Sequence, residues 1–66
     1  MNNAIRSIAD DKTRAFAEAC YDTNDLNDLR EMTEADETDM AEWKIDANQW
    51  RTAVNAAIAD MEADAE

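Results

Sequence analysis

The 66-residue chain contains no Gly, no Pro and no His, and it has a single Cys. Without Gly it cannot form the Gly-rich loops that cradle phosphates, and without Pro no helix loses a backbone donor. Without His, neither Ser7 nor Cys20 has an imidazole base, which excludes the usual nucleophile–base pairs. We therefore expect a protein that is not an enzyme, with no catalytic residue and no cofactor.

Metal binding also has little support in the sequence. Residues 22–28 partly resemble a calcium-binding loop, but the sixth position lacks the required Gly. Thr33 stands at the twelfth position, where such a loop needs a bidentate Glu. No specific metal site is expected.

Long apolar runs are missing as well. No stretch approaches the ~20 apolar residues that span a bilayer, and no secretory signal sequence is apparent. With only one Cys, the composition is typical of a reducing compartment. We expect a cytoplasmic protein without membrane contact, in which Cys20 packs in the core.

The residues that are present strongly favour helices. Two Asn residues can cap a first helix over residues 3–21. Its apolar face follows spacings of three and four residues: Ile5, Ile8, Lys12, then Ala15 or Phe16, and Ala19 or Cys20. Turn-forming residues follow at 22–25, and Thr23 or Asn24 is expected to cap a short second helix carrying Leu26, Leu29 and Met32. We place its end at residues 33–38; alternatively, the second helix continues into the third with a kink.

The third segment has the most regular pattern. Met40, Trp43, Ala47, Trp50, Val54, Ala57 and Met61 follow one another at alternating spacings of three and four residues, which predicts one helix over residues 39–63. Ile45 lies off this stripe and is expected to pack elsewhere. The stripe is interpreted as core or, alternatively, as an interface formed by Met40, Trp43, Trp50, Val54 and Met61.

These segments predict one domain over residues 1–66. Its fold class is all-α, either a small three-helix bundle or a helical hairpin with a short acidic connecting helix. The core is thin, because 14 of the apolar residues are Ala. A second subunit would enlarge so thin a core, so both a monomer and a homodimer are consistent with the sequence.

Charge is the most informative feature of the chain. Seventeen acidic and six basic residues give a net charge of −11. Residues 22–46 hold ten acids against Arg30 and Lys44, a net charge of −8 in 25 residues. Nine of these acids form the predicted partner-binding set: Asp22, Asp25, Asp28, Glu31, Glu34, Asp36, Glu37, Asp39 and Glu42. Such a surface repels nucleic acid and attracts basic partners.

The spacing within this set also matters. Six of the nine recur every three residues, and helix neighbours three or four apart have Cβ atoms ~5–6 Å apart. Phosphates along a nucleic-acid strand are spaced similarly, at roughly 6–7 Å. The row would wind around a helix and imitate a phosphate backbone. It is equally consistent with a solvated face that keeps a small protein soluble.

In size, composition and this carboxylate row, the chain resembles small acidic inhibitors encoded by phages and mobile elements, of the anti-CRISPR or DNA-mimic type. No family motif carries the resemblance. It implies an inhibitor that binds a basic, nucleic-acid-binding surface of a host protein, such as a defence nuclease or CRISPR effector, in the bacterial cytoplasm. The alternative is an oligomerisation or adaptor module that binds through the Trp-containing stripe.

Overall fold

The computed structural model describes residues 3–32 and 36–64, and within these ranges the chain forms four α-helices and no strand. The helices are α1 (Asp11–Thr23), α2 (Leu26–Glu31), α3 (Glu37–Trp43) and α4 (Ala47–Asp64). The two longer helices, α1 and α4, pack against each other, and α2 packs on α4. The predicted small all-α bundle is confirmed.

The first helix begins later than predicted. Residues 4–7 form a turn in which the Ser7 N–H donates to the Asn3 carbonyl at 3.0 Å, and α1 starts only at Asp11. The predicted start at residue 3 is wrong because Asp10 provides the cap: its carboxylate accepts from the Thr13 N–H and hydroxyl at 2.8 and 2.7 Å. Asn2, the other expected cap, lies outside the described residues.

The N-terminal turn is held against α4 by a buried carboxylate. Asp60 is only 3% exposed, and its two oxygens accept the backbone N–H groups of Ala4 and Ile5 at 2.9 and 3.0 Å. These bonds satisfy donors that have no helical partner, and they bring Ile5 and Ile8 into the core.

The cap of α2 also differs from the prediction. Thr23 and Asn24 instead close α1, since their side chains donate to the carbonyls of Ala19 and Cys20. Asp25 caps α2 by accepting from the Asp28 N–H at 2.8 Å. The helix ends at Glu31 and α3 begins at Glu37, so α2 does not run through to α3; residues 33–35 of the predicted break lie outside the described ones.

The single helix predicted over residues 39–63 is wrong, because the chain turns at residues 44–46. Lys44 adopts a left-handed conformation (φ 58°) that ends α3, a position usually taken by Gly, and the Ile45 N–H donates to the Met40 carbonyl at 3.0 Å. Asp46 and Gln49 then form a reciprocal capping box, each side chain accepting the other's N–H at 2.8 Å.

The core is centred on three aromatic rings. Phe16 of α1 lies 4.8 Å from the Trp50 ring of α4 and 5.4 Å from the Trp43 ring of α3, centroid to centroid. The Trp50 indole N–H donates to the Met32 carbonyl at 2.8 Å, which attaches the end of α2. Cys20 and Ile45 are buried, as predicted from the sequence.

Candidate partner-binding surface

The predicted partner-binding acids are spread over three helices and their caps. Asp22 lies in the last turn of α1, while Asp25 caps α2 and Asp36 caps α3. Asp28 and Glu31 belong to α2, and Glu37, Asp39 and Glu42 belong to α3; Glu34 lies outside the described residues. The carboxylate row therefore does not continue along one helix, because α1, α2 and α3 each hold some of its described members.

Two of these carboxylates have structural roles. Asp25 Oδ1 accepts the Asp28 N–H in the first turn of α2, and Asp36 Oδ1 accepts the Thr38 and Asp39 N–H groups at 2.8 and 3.3 Å. Capping of this kind accounts for Asp at both positions without any partner. For the other acids of the set within the described ranges, no such bond explains the carboxylate.

The described acids of this surface are exposed or half-buried and have no ion-pair partner within the described residues. Seven of the eight described members are exposed and Asp39 is half-buried. None of the eight forms an ion pair within the described residues, where the ion pairs are Arg14–Asp11 and Arg30–Glu62. Arg30, the one Arg of the acidic segment, reaches across to Glu62 of α4 at 3.0 Å. The carboxylates are therefore open to an external cation.

Two of the acids also oppose a helix dipole. Asp22 and Glu42 occupy the last turns of α1 and α3, neither of which carries a basic residue in its last turn. The C-terminal end of a helix carries partial negative charge, so an acid there costs stability.

The alternative interface is largely internal. Trp50 and Val54 are each 1% exposed and belong to the core, whereas Met40, Trp43 and Met61 are half-buried. The interpretation of the stripe as core therefore accounts for its two central residues. Among the five predicted interface residues, Met40, Trp43 and Met61 retain exposed surface.

A groove between α1, the end of α2 and α3 combines aromatic and acidic residues. Phe16, Cys20 and Trp50 form its buried floor, and the half-buried Trp43 and Met32 also line it. Burial, reinforced by the nearby Asp39 carboxylate, raises the pKa of the Cys20 thiol to about 11. The thiol is therefore protonated at neutral pH and unsuited to nucleophilic chemistry.

Within residues 3–32 and 36–64, no three Cys, Asp or Glu side chains gather in a way that could hold a metal ion. In the same ranges, no helix is both long and apolar enough to cross a membrane.

Sequence reasoning missed the side chains that position these elements. Asp10, Asp46 and Asp60 were not singled out, although the first two had a local signal. Asp46-x-x-Gln49 matches a capping box, and Asp10-x-x-Thr13 is a similar start signal. Asp60 had no such signal, because its partners Ala4 and Ile5 are more than 50 residues away.

Comparison of the chain with protein-family models, with curated proteins and with solved structures finds no match.

Proposed function

We propose that this protein is an acidic helical inhibitor that occupies a basic, nucleic-acid-binding surface of a host protein, such as a defence nuclease or CRISPR effector. Its carboxylates between residues 22 and 42 take the place of nucleic-acid phosphates. The protein itself binds neither nucleic acid nor membranes, since its net charge of −11 repels both.

The observation that carries this proposal is the set of eight described carboxylates without an internal ion pair. A chain evolved only to be a stable bundle would intersperse Lys residues among its acids, because like charges that lie close together repel one another. A basic groove on a partner would supply the missing counter-charges. Long-range attraction would also make association fast and dependent on salt.

The distribution over three helices suits this role. Asp28 and Glu31 are three residues apart on α2, and Asp39 and Glu42 are three apart on α3. Each pair has the short helical spacing of ~5–6 Å between Cβ atoms, close to the roughly 6–7 Å between phosphates. Two short helices with such pairs present carboxylates to a broad basic groove of the partner. One straight row would imitate only a single nucleic-acid strand.

The alternative function, an adaptor that binds through the Trp-containing stripe, is less well supported. Two of its five residues, Trp50 and Val54, are each 1% exposed and would have to leave the core to meet a partner. Met40, Trp43 and Met61 alone offer a small apolar surface. Seven of the eight described acids are already exposed, so the acidic surface needs no rearrangement.

The test is capture of host proteins from a bacterial lysate on the immobilised protein, with elution by a salt gradient and, in parallel, by excess duplex DNA. We expect a nucleic-acid-handling protein to be retained and to be released by both. Asp22→Asn, Asp28→Asn and Glu42→Gln combined should weaken its binding at least ~10-fold, because each exposed charge pair contributes up to ~1 kcal/mol.

A matched control removes the same three charges elsewhere. Asp11, Glu18 and Glu62 are exposed and lie outside the acidic segment, so Asp11→Asn, Glu18→Gln and Glu62→Gln combined reach the same net charge. If both triple variants bind the captured protein equally well, or DNA fails to release it, the carboxylates do not act as phosphates and the proposal is wrong.

A further inference from the structure

We infer that the groove between α1, α2 and α3 is a receptor for one arginine side chain of the partner. This inference rests on the proposed function, because it assumes a basic protein surface as the ligand. It adds a specific anchor to an interface that would otherwise rely on diffuse charge.

The groove has an apolar interior and an acidic rim. Phe16 and Trp50 are 4% and 1% exposed on its floor, and Trp43 forms part of the wall with its ring 5.4 Å from Phe16. Glu31, from the end of α2, stands at the rim with Asp36 and Asp39 of the α3 start. An aromatic wall beside carboxylates is complementary to a cation with an apolar stem.

No cation of the chain fills this position. Among the described residues, no Lys or Arg lines the groove, and none of the three rim acids takes part in an ion pair. Both hydrogen bonds of Asp36 within the described residues go to Oδ1. The half-buried Asp39 lines the groove together with Cys20 of its floor.

Arginine fits this arrangement better than lysine. Its guanidinium is planar, stacks on aromatic rings and donates two parallel hydrogen bonds to a carboxylate. It is also more weakly hydrated than an ammonium group, so it enters a half-buried groove at a lower desolvation cost. Lysine offers a point charge that the exposed acids of the surface would hold equally well.

The test needs no host target. Blocked arginine (Nα-acetyl-arginine methylamide) and its lysine counterpart are titrated into the 15N-labelled protein, and the two indole N–H signals are followed by NMR. We expect the Trp43 signal to shift, with weak affinity on the order of 1 mM. Arginine should bind at least ~3-fold more tightly than lysine. The Trp50 indole, bonded to Met32, should respond less.

Two variants of α3 separate the groove from general charge. Asp39→Asn should weaken arginine binding about 3-fold, whereas Glu37→Gln, an equal loss of charge at an exposed position away from the groove, should not. Circular dichroism confirms that both variants stay helical. Equal binding of arginine and lysine, or equal effects of the two variants, overturns the inference.

The outcomes also distinguish this inference from the proposed function. Suppose that blocked arginine does not bind, but capture of the host protein still depends on Asp22, Asp28 and Glu42. The arginine receptor in the groove is then wrong, and the proposed phosphate mimicry is retained. If arginine binds at Trp43 but no nucleic-acid-handling protein is captured, the groove is correct and the proposed target class is wrong.

Discussion

Two regions of this molecule differ in burial and in charge: one supplies most of the core, and the other carries most of the net charge. Among the residues that the structure describes, fourteen are buried. The scaffold, residues 3–21 and 47–64, contains twelve of them, and the described part of the acidic segment, residues 22–46, contributes Leu29 and Ile45. The acidic segment carries −8 of the net charge of −11. Stability is therefore concentrated where charge is low, and the charged surface is attached at few points.

This difference has a physical basis. Like charges that lie close together repel, and burying one without a partner costs several kcal/mol. A segment dense in acids can therefore stay folded only if its helices lie outside the core, each joined to it by a small number of apolar contacts. Leu29 serves α2 in this way, while Ile45, in the turn after α3, and the half-buried Trp43 serve α3.

The comparison can be tested most severely with the two Trp residues. Trp50→Ala in the scaffold removes a ring that is 1% exposed, contacts Phe16 and bonds to the Met32 carbonyl. We expect a loss of about 3–5 kcal/mol in unfolding free energy, enough to unfold a marginal domain. Trp43→Ala in the acidic segment should cost only about 1–2 kcal/mol, since that ring is half-buried.

Urea denaturation followed by circular dichroism measures both variants without relying on Trp fluorescence. Equal losses of unfolding free energy for Trp50→Ala and Trp43→Ala would contradict the difference between scaffold and acidic segment. They would mean that α3 contributes as much to the core as α4.

A second comparison sets a buried acid of the scaffold against an exposed one. Asp60→Ala removes the acceptor of the Ala4 and Ile5 N–H groups, and we expect a loss of about 2 kcal/mol. Glu62→Ala on the same helix removes only the exposed pair with Arg30 and should cost less than about 1 kcal/mol. Amide hydrogen exchange at Ala4 and Ile5 should accelerate in the first variant alone; continued protection there would rule out this role for Asp60.

The same division explains how far the sequence could be interpreted. Within the scaffold, apolar spacing correctly placed Ile5 and Ile8 in the core, and it offered Phe16 and Cys20 beside Ala15 and Ala19. Phe16 and Cys20 follow the helical period on α1, whereas Ile5 and Ile8 precede that helix and reach the core through the turn that Asp60 holds. Spacing failed at the turn after α3. Met40, Trp43, Ala47 and Trp50 keep a heptad-like register through a left-handed Lys44, so the apolar pattern continues where the backbone does not.

Helix starts were misplaced for a related reason. In a chain with 17 acids, almost every turn offers an Asp, Asn or Thr that could cap a helix. The choice of Asp10, Asp25 and Asp46 depends on which helices pack together, and that is a property of the whole fold. For the candidate site, the sequence identified the charged segment but not the groove. Phe16 and Trp50 are far apart in the sequence, and only the fold brings them together.

The smallest expected change in unfolding free energy tests whether the acids at helix C-terminal ends are retained for binding. Asp22 and Glu42 lie at the C-terminal ends of their helices, so Asp22→Asn and Glu42→Gln together should raise the unfolding free energy by about 0.5–1 kcal/mol. Glu37→Gln, in the first turn of α3, removes one charge at the favourable end and should lower it by a few tenths of a kcal/mol.

Thermal and urea denaturation at low salt compare these variants. General relief of repulsion would stabilise Glu37→Gln and Glu42→Gln alike, whereas the dipole predicts opposite signs on the same short helix. If Asp22→Asn and Glu42→Gln stabilise the fold and also weaken the captured partner, these acids reduce stability in exchange for binding. If they stabilise the fold and leave partner capture unchanged, the acidic segment acts only as a solvated face.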